Sequence, residues 1–145
     1  MFIGEYQHTL DSKRRMSLPA KMRKECQTDL VATRGLDQCI FIYPKEDWRL
    51  MMSKLNDLSM GKQQTRDIAR YFFASAEDIS IDAAGRILVP EKLCEFANIR
   101  SDVVTIIGSG SRMELWNSES WTAYQNRSLS EIDTIAESLG ELGLI

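Results

Sequence analysis

The 145-residue sequence is short of the residues that usually perform chemistry or cross-link a fold. It has one histidine, His8, and three cysteines, Cys26, Cys39 and Cys94, widely spaced and without a C-x-x-C pair. An odd number of scattered cysteines makes no disulfide framework, and a single histidine leaves a zinc cluster without its usual donors. No metal and no cofactor are expected, and each cysteine reads as a small buried hydrophobe. No apolar run approaches the roughly 20 residues that span a bilayer, and the opening MFIGEYQHTL lacks the basic, apolar and small-residue order of a signal peptide. The expectation is a cytoplasmic chain with no membrane partner. Also missing is an excess of positive charge, since 18 Lys plus Arg face 21 Asp plus Glu for a net charge of -3. As an average, that balance argues against nucleic acid.

What remains is ordinary for a soluble globular protein: 43% hydrophobic and 27% charged residues exclude disordered and collagen-like classes. The length suits one compact domain or two very small modules sharing a core. The charge is unevenly placed. Between Met1 and Lys24, Lys13, Arg14, Arg15, Lys21, Arg23 and Lys24 face only Glu5 and Asp11, a segment charge of +4. From Asn117 onward, Glu119, Glu131, Asp133, Glu137 and Glu141 face only Arg127, a segment charge of -4. Most uneven distributions are merely solvated faces; the sharper reading is that the basic part meets phosphate.

The sequence also repeats itself. Asp11-Ser-Lys-Arg-Arg15-Met-Ser-Leu-Pro19 aligns without a gap on Asp82-Ala-Ala-Gly-Arg86-Ile-Leu-Val-Pro90, giving a shared D-x-x-x-R-x-x-[LV]-P. Two extra residues in the second copy then bring Gly35 onto Gly108, Tyr43 onto Trp116 and Trp48 onto Trp121. The chain reads as two diverged copies, residues 1–75 and 76–145. Ile79 and Ile81, with Ile87 and Val89 across a turn, predict a short hairpin with one buried face. In that turn the Asp82 side chain can accept backbone N–H groups, and Gly85 can supply a positive φ. Pro19 and Pro90 suit the first turn of short helices over about Ala20 to Cys26 and Glu91 to Ala97. Strand composition follows at Leu30 to Thr33, Ile40 to Tyr43, Val103 to Ile107 and Met113 to Trp116, and each copy ends in a helix, one holding Trp48 and the other Trp121. Gln63 to Ser75 reads as a helix with Ile68, Tyr71, Phe72 and Ser75 on a buried side and Arg66 and Arg70 on another. Leu129, Ile132, Ile135, Ala136 and Leu139 form an amphipathic stripe near the C-terminus; packing on its own domain is the first expectation, a subunit interface the second.

Asp11 and Arg15, and likewise Asp82 and Arg86, lie four residues apart across a tight turn. As exposed salt bridges they would contribute about 0 to 1 kcal/mol, a weak reason for having both pairs. The functional reading separates the roles: aspartate orders the loop, and arginine is held with its fork outward for phosphate or a guanine edge. Lys13 and Arg14 add two cations to the first loop. Catalytic constellations are absent from the sequence by comparison. His8 has no nucleophile motif around it, Gly108-Ser-Gly110-Ser lacks the full phosphate-loop fingerprint and leads into a strand, and the neighbouring carboxylates Glu46 with Asp47 and Glu77 with Asp78 read as solvated surface.

The opening Met1 to Asp11, the paired D-x-x-x-R motifs, Thr33 to Cys39 and Met113-Glu-Leu-Trp116 closely resemble the bacterial MraZ proteins over essentially the full chain. The resemblance implies an α+β fold of two pseudo-symmetric AbrB-like, swapped-hairpin half-barrel repeats with short helices and a C-terminal helix. It implies a non-enzymatic, nucleoid-associated transcriptional regulator of its own operon, the division and cell-wall cluster. Such a protein forms a homo-oligomeric ring that binds short direct repeats in double-stranded promoter DNA. Carried onto this sequence, the DNA-reading motifs fall at Asp11 to Arg15 and Asp82 to Arg86. Arg15 and Arg86 are the leading contacts, Lys13 is next, and Asp11, Asp82 and Gly85 order the turns. Family members usually have glycine or a small polar residue where this chain has Arg14, which adds a candidate phosphate contact. The alternative from another class is an antitoxin-like protein-interaction module of the swapped-hairpin group.

Overall fold

A computed structural model describes residues 1–100 and 103–143. The elements follow in the order β1 (Glu5–Thr9), β2 (Arg15–Ser17), α1 (Ala20–Lys24), β3 (Asp29–Arg34), β4 (Ile40–Pro44), α2 (Lys45–Asn56) and α3 (Gln63–Ser75). They continue as β5 (Glu77–Ser80), β6 (Arg86–Leu88), α4 (Glu91–Phe96), β7 (Val103–Gly108), β8 (Met113–Asn117) and α5 (Ser118–Glu141). Pro19 and Pro90 stand at the N-caps of α1 and α4, where the missing N–H costs nothing.

All pairing is antiparallel. One six-stranded sheet runs β1-β7-β8-β4-β3-β5, and β2 and β6 form a separate two-stranded ribbon. The order is a palindrome under exchange of the two halves of the chain. Thus β1 of the first half lies on β7 of the second, β5 of the second on β3 of the first, and β4 meets β8 at the centre. At that centre Phe41 is opposite Glu114, and in the ribbon Met16 is opposite Ile87. Each half therefore completes the other's hydrogen-bond ladder, and neither can pair all its backbone groups alone.

Three expectations change. The residues flanking the Asp82 turn do not form a hairpin with each other, because β5 pairs with β3 and β6 with β2. The α+β class and antiparallel pairing hold, but the sheet is not a closed barrel: it is open at β1 and β5. The physical reason is that β2 and β6 leave the sheet at the turns and satisfy one another. Thirdly, the Trp121 helix and the C-terminal amphipathic helix are one continuous α5, and Leu129, Ile132 and Ile135 on it are exposed. They do not pack on their own domain. The corresponding part of the first half breaks between Asn56 and Gln63, and α3 turns back onto β3; α5 has no such break and runs past the strands it touches.

The sheet is buried on both faces. Leu30, Ala32, Ile40, Ile42, Val104, Ile106, Met113 and Leu115 join Met16, Leu18, Met22, Ile87, Val89 and Leu93 in the larger core, beneath the ribbon, α1 and α4. The alternate residues Val31, Phe41, Tyr43 and Trp116 pack with Trp48 of α2 and Phe72 of α3 on the other face. This two-sided burial explains why the central strands read as continuous apolar runs.

Candidate nucleic-acid interface

The two D-x-x-x-R segments fold alike. In the first, Asp11 Oδ1 accepts from the backbone N–H of Lys13 (2.9 Å) and of Arg15 (2.8 Å), and Oδ2 accepts from Arg15 Nε (3.1 Å). In the second, Asp82 Oδ1 accepts from Ala84 N–H and Arg86 N–H, both 2.9 Å, and Oδ2 from Arg86 Nε at 3.1 Å. Main-chain bonds close each turn: Arg14 N–H to Asp11 O and Gly85 N–H to Asp82 O, both 2.9 Å. Aspartate is suited to this because one short side chain can accept from two backbone donors and still face its arginine.

These bonds favour the ionised carboxylate. The Arg15 backbone N–H, with the Arg15 guanidinium and Lys13 N–H in support, holds the Asp11 carboxyl below its ordinary range. Arg86 does the same for Asp82, again through its backbone N–H first. Only Nε of each arginine is used by the aspartate, and the Nη groups have no protein partner among the described residues.

The ribbon sets where the arginines point. Arg15 is opposite Leu88 and Ser17 is opposite Arg86. Met16 and Ile87 are each 1% exposed and point inward, so Arg15, Ser17, Arg86 and Leu88 share the outer face. The Arg15 and Arg86 side chains are 38% and 39% exposed. As diagonal neighbours their backbones lie about 7–8 Å apart. Burying Met16 and Ile87 stabilises this placement by about 1.5–3 kcal/mol each.

Arg14 and Gly85 occupy the same turn position, with φ of 60° and 80°. Glycine adopts this left-handed conformation freely, whereas arginine does so at a cost of about 1–2 kcal/mol. The Arg14 side chain does not extend into solvent: its Nε donates to Val89 O at 3.2 Å, and Glu91 and Glu95 line the same recess. In the second turn glycine leaves that space open, and Arg23 fills it. Arg23 Nη1 donates to Leu18 O at 3.0 Å, and a Cβ on Gly85 would meet that same Nη1 at 2.6 Å. Lys13 is exposed beside the first turn.

The turns and ribbon thus bring Asp11, Arg15, Asp82, Arg86 and Gly85 into one paired arrangement; Lys13 lies at its edge, and Arg14 folds inward. Sequence reasoning missed Ser17 and Leu88 on the outer face and Arg23 as the support of the second turn. The period-two spacing from each motif arginine could have identified the first two. Among the described residues, no three His, Cys, Asp or Glu side chains gather to hold a metal, and no helix is long and apolar enough to cross a membrane.

The chain matches the sequence profile of the family described as "MraZ protein, putative antitoxin-like" twice, over residues 1–71 and 72–140. It is 45% identical to the transcriptional regulator MraZ of Syntrophomonas wolfei and 43% identical to that of Clostridium tetani, in each case over 99% of this chain and 100% of the relative. The protein of the same name from Heliobacterium modesticaldum is 42% identical over the same shares. Two matched copies, each carrying one of the two identically bonded Asp–Arg turns, and full-length similarity to these regulators establish that the chain belongs to the MraZ family.

Proposed function

We propose that this chain is a sequence-specific DNA-binding transcriptional regulator whose β2–β6 ribbon reads the major groove. The observation that carries the reading is the pair of outward, aspartate-held arginines on the ribbon's exposed face. A two-stranded ribbon is one of the two elements that a major groove of B-DNA admits, and an arginine fork matches guanine O6 and N7. Fixing Nε on aspartate leaves the Nη pair pre-oriented, which lowers the entropy lost on binding. Arg15 and Arg86 supply the base contacts and Lys13 a phosphate contact; Arg14, committed to Val89, is the weakest member of the set. The names of its relatives support regulation of transcription.

We divide the chain into repeats at residues 1–75 and 76–145, joined as an AbrB-like, swapped-hairpin pair. One chain offers few base contacts, so tight binding calls for several linked chains engaging several short direct repeats. The exposed apolar stripe of α5, Leu129, Ile132 and Ile135, supports assembly into a homo-oligomer, in our reading a ring. The target is the promoter of its own operon, the division and cell-wall cluster, which the protein represses from a cytoplasmic, nucleoid-associated location.

A mobility shift of the purified protein on DNA upstream of its own coding sequence tests this. Arg15→Ala and Arg86→Ala are expected to lose affinity with oligomer mass unchanged, and wild-type affinity is expected to fall steeply with salt as counterions are released. Normal affinity in both variants would sink the assignment, and a stoichiometric protein partner without DNA affinity would favour the antitoxin-like alternative.

A further inference from the structure

Resting on the DNA-reading function just proposed, we infer that Leu88 gives the ribbon a direction on DNA by packing against the C5-methyl group of a thymine. The outer face of the ribbon has two rungs: Arg15 opposite Leu88, and Arg86 opposite Ser17. Turning the ribbon about its Met16–Ile87 centre exchanges Arg15 with Arg86, and Ser17 with Leu88. The arginines are therefore equivalent, with the same aspartate contacts and nearly the same exposure. Their neighbours are not. One rung carries a hydroxyl and the other an isobutyl group.

A lone exposed leucine on a protein surface ordinarily needs no explanation. Leu88 is 51% exposed, yet it stands directly across from Arg15 and two residues along the strand from Arg86. It thus meets whatever surface the two guanidinium groups meet. Cross-strand Cβ atoms lie about 4.5–5.5 Å apart, so the methyl groups of Leu88 reach base edges beside those read by Arg15. In the major groove the thymine C5-methyl is the apolar feature that distinguishes one base from the others. Ser17, able both to donate and to accept, has no such preference. The rungs are separated by two strand residues, about 6.6–6.8 Å, close to two base steps of about 3.4 Å each. The thymine therefore lies within two base steps of a guanine read by Arg15 or Arg86. A ribbon with identical rungs would read a palindromic site equally in both directions. One with unequal rungs reads an oriented site, which suits repeats arranged head to tail.

The test replaces each thymine in turn with deoxyuridine in a duplex from upstream of the chain's own coding sequence and titrates each duplex with the full-length protein. For the wild type, loss of one methyl group is expected to weaken binding about three- to fivefold at a thymine within two steps of a critical guanine. Leu88→Ser should bind the thymine and deoxyuridine forms equally. Ser17→Leu should gain sensitivity at a second thymine, on the other rung. Both positions are exposed, and a thermal unfolding curve for each variant is the check that it folds. The inference is overturned if the wild type binds the duplex specifically yet tolerates every deoxyuridine, or if Leu88→Ser keeps the full loss. A wild type with no specific binding to this DNA defeats the proposed function as well as this inference.

Discussion

Between Asp11 and Arg15, and again between Asp82 and Arg86, the backbone and the aspartate make the same hydrogen bonds at nearly the same lengths. Beyond the turns the two halves diverge. Val89 O is met by Arg14, the left-handed residue of the first turn itself, whereas the corresponding Leu18 O is met by Arg23, reaching across Gly85 from α1. Cys94, the sequence counterpart of Arg23, reaches Val89 O only through a long thiol contact, Sγ to O 4.0 Å, and carries no guanidinium, which Arg14 supplies instead. One carbonyl and one guanidinium meet at each site although the arginine comes from different places. The Asp–Arg frame therefore fixes the turn, and the side chain packed behind it is free to come from whichever element has room.

A second contrast lies at the centre of the sheet, where Phe41 of one half faces Glu114 of the other. Arg112 ties the two together, with its guanidinium 4.2 Å from the Phe41 ring centroid and Nη2 3.0 Å from Glu114 Oε2. Glu114 is 8% exposed. Removing Arg112 takes away the counter-charge of a nearly buried carboxylate and leaves only Trp116 Nε1, at 3.4 Å, donating to it, so Arg112→Ala should produce the largest stability loss, about 3 kcal/mol in urea unfolding. Loss below about 0.5 kcal/mol would mean that the two halves are more alike in energy than in composition.

Next in size are the two arginines proposed to read DNA. Arg15→Ala and Arg86→Ala should each reduce affinity for the upstream DNA by about 1–3 kcal/mol, and by similar amounts, because their surroundings match. A large effect at one and none at the other breaks the equivalence of the turns. Gly85→Ala should cost about 1–2 kcal/mol of stability, combining a left-handed alanine with a clash against Arg23. In an Arg23→Ala background the same change should cost less, and a double-mutant cycle measures the difference. Strict additivity would show that Arg23 does not fill the space above the glycine.

The smallest effect concerns pH. Both aspartates have folded-state pKa values below their unfolded ones, so each stabilises the turn while ionised, at and above the ordinary aspartate range. That contribution is lost as pH falls through the lowered values, below about pH 4. Carboxyl-carbon NMR titration should place Asp11 and Asp82 together below an unstructured aspartate, and Asp11→Asn or Asp82→Asn should leave stability between pH 5 and 8 without any added slope. An ordinary titration of either carboxyl would remove the bonding assigned to its turn.

Much of this was legible in the sequence because it is local. The D-x-x-x-R turns, the prolines ahead of α1 and α4, and α3 over Gln63 to Ser75 follow from side-chain reach, a missing N–H and helical spacing. The pairing of β2 with β6 was not legible, since their residues lie some seventy positions apart in the chain and nothing in a three-residue strand names its partner. Period-two spacing puts Ser17 on the face of Arg15 and Leu88 on that of Arg86, but without the pairing neither could be placed across from the other strand's arginine. Arg14 was misleading for a related reason: a cation in a loop reads as solvent-facing, and the Val89 carbonyl that turns it inward belongs to the other half of the chain.

If Arg15 and Arg86 each read a guanine, as proposed, 7-deazaguanine scanning exposes it by deleting N7 from one guanine at a time in the upstream duplex. Two sets of sensitive guanines are expected for the wild type, with Arg15→Ala blind to one set and Arg86→Ala blind to the other. Equal sensitivity in the wild type and both variants, or no sensitive guanine at all, would contradict it.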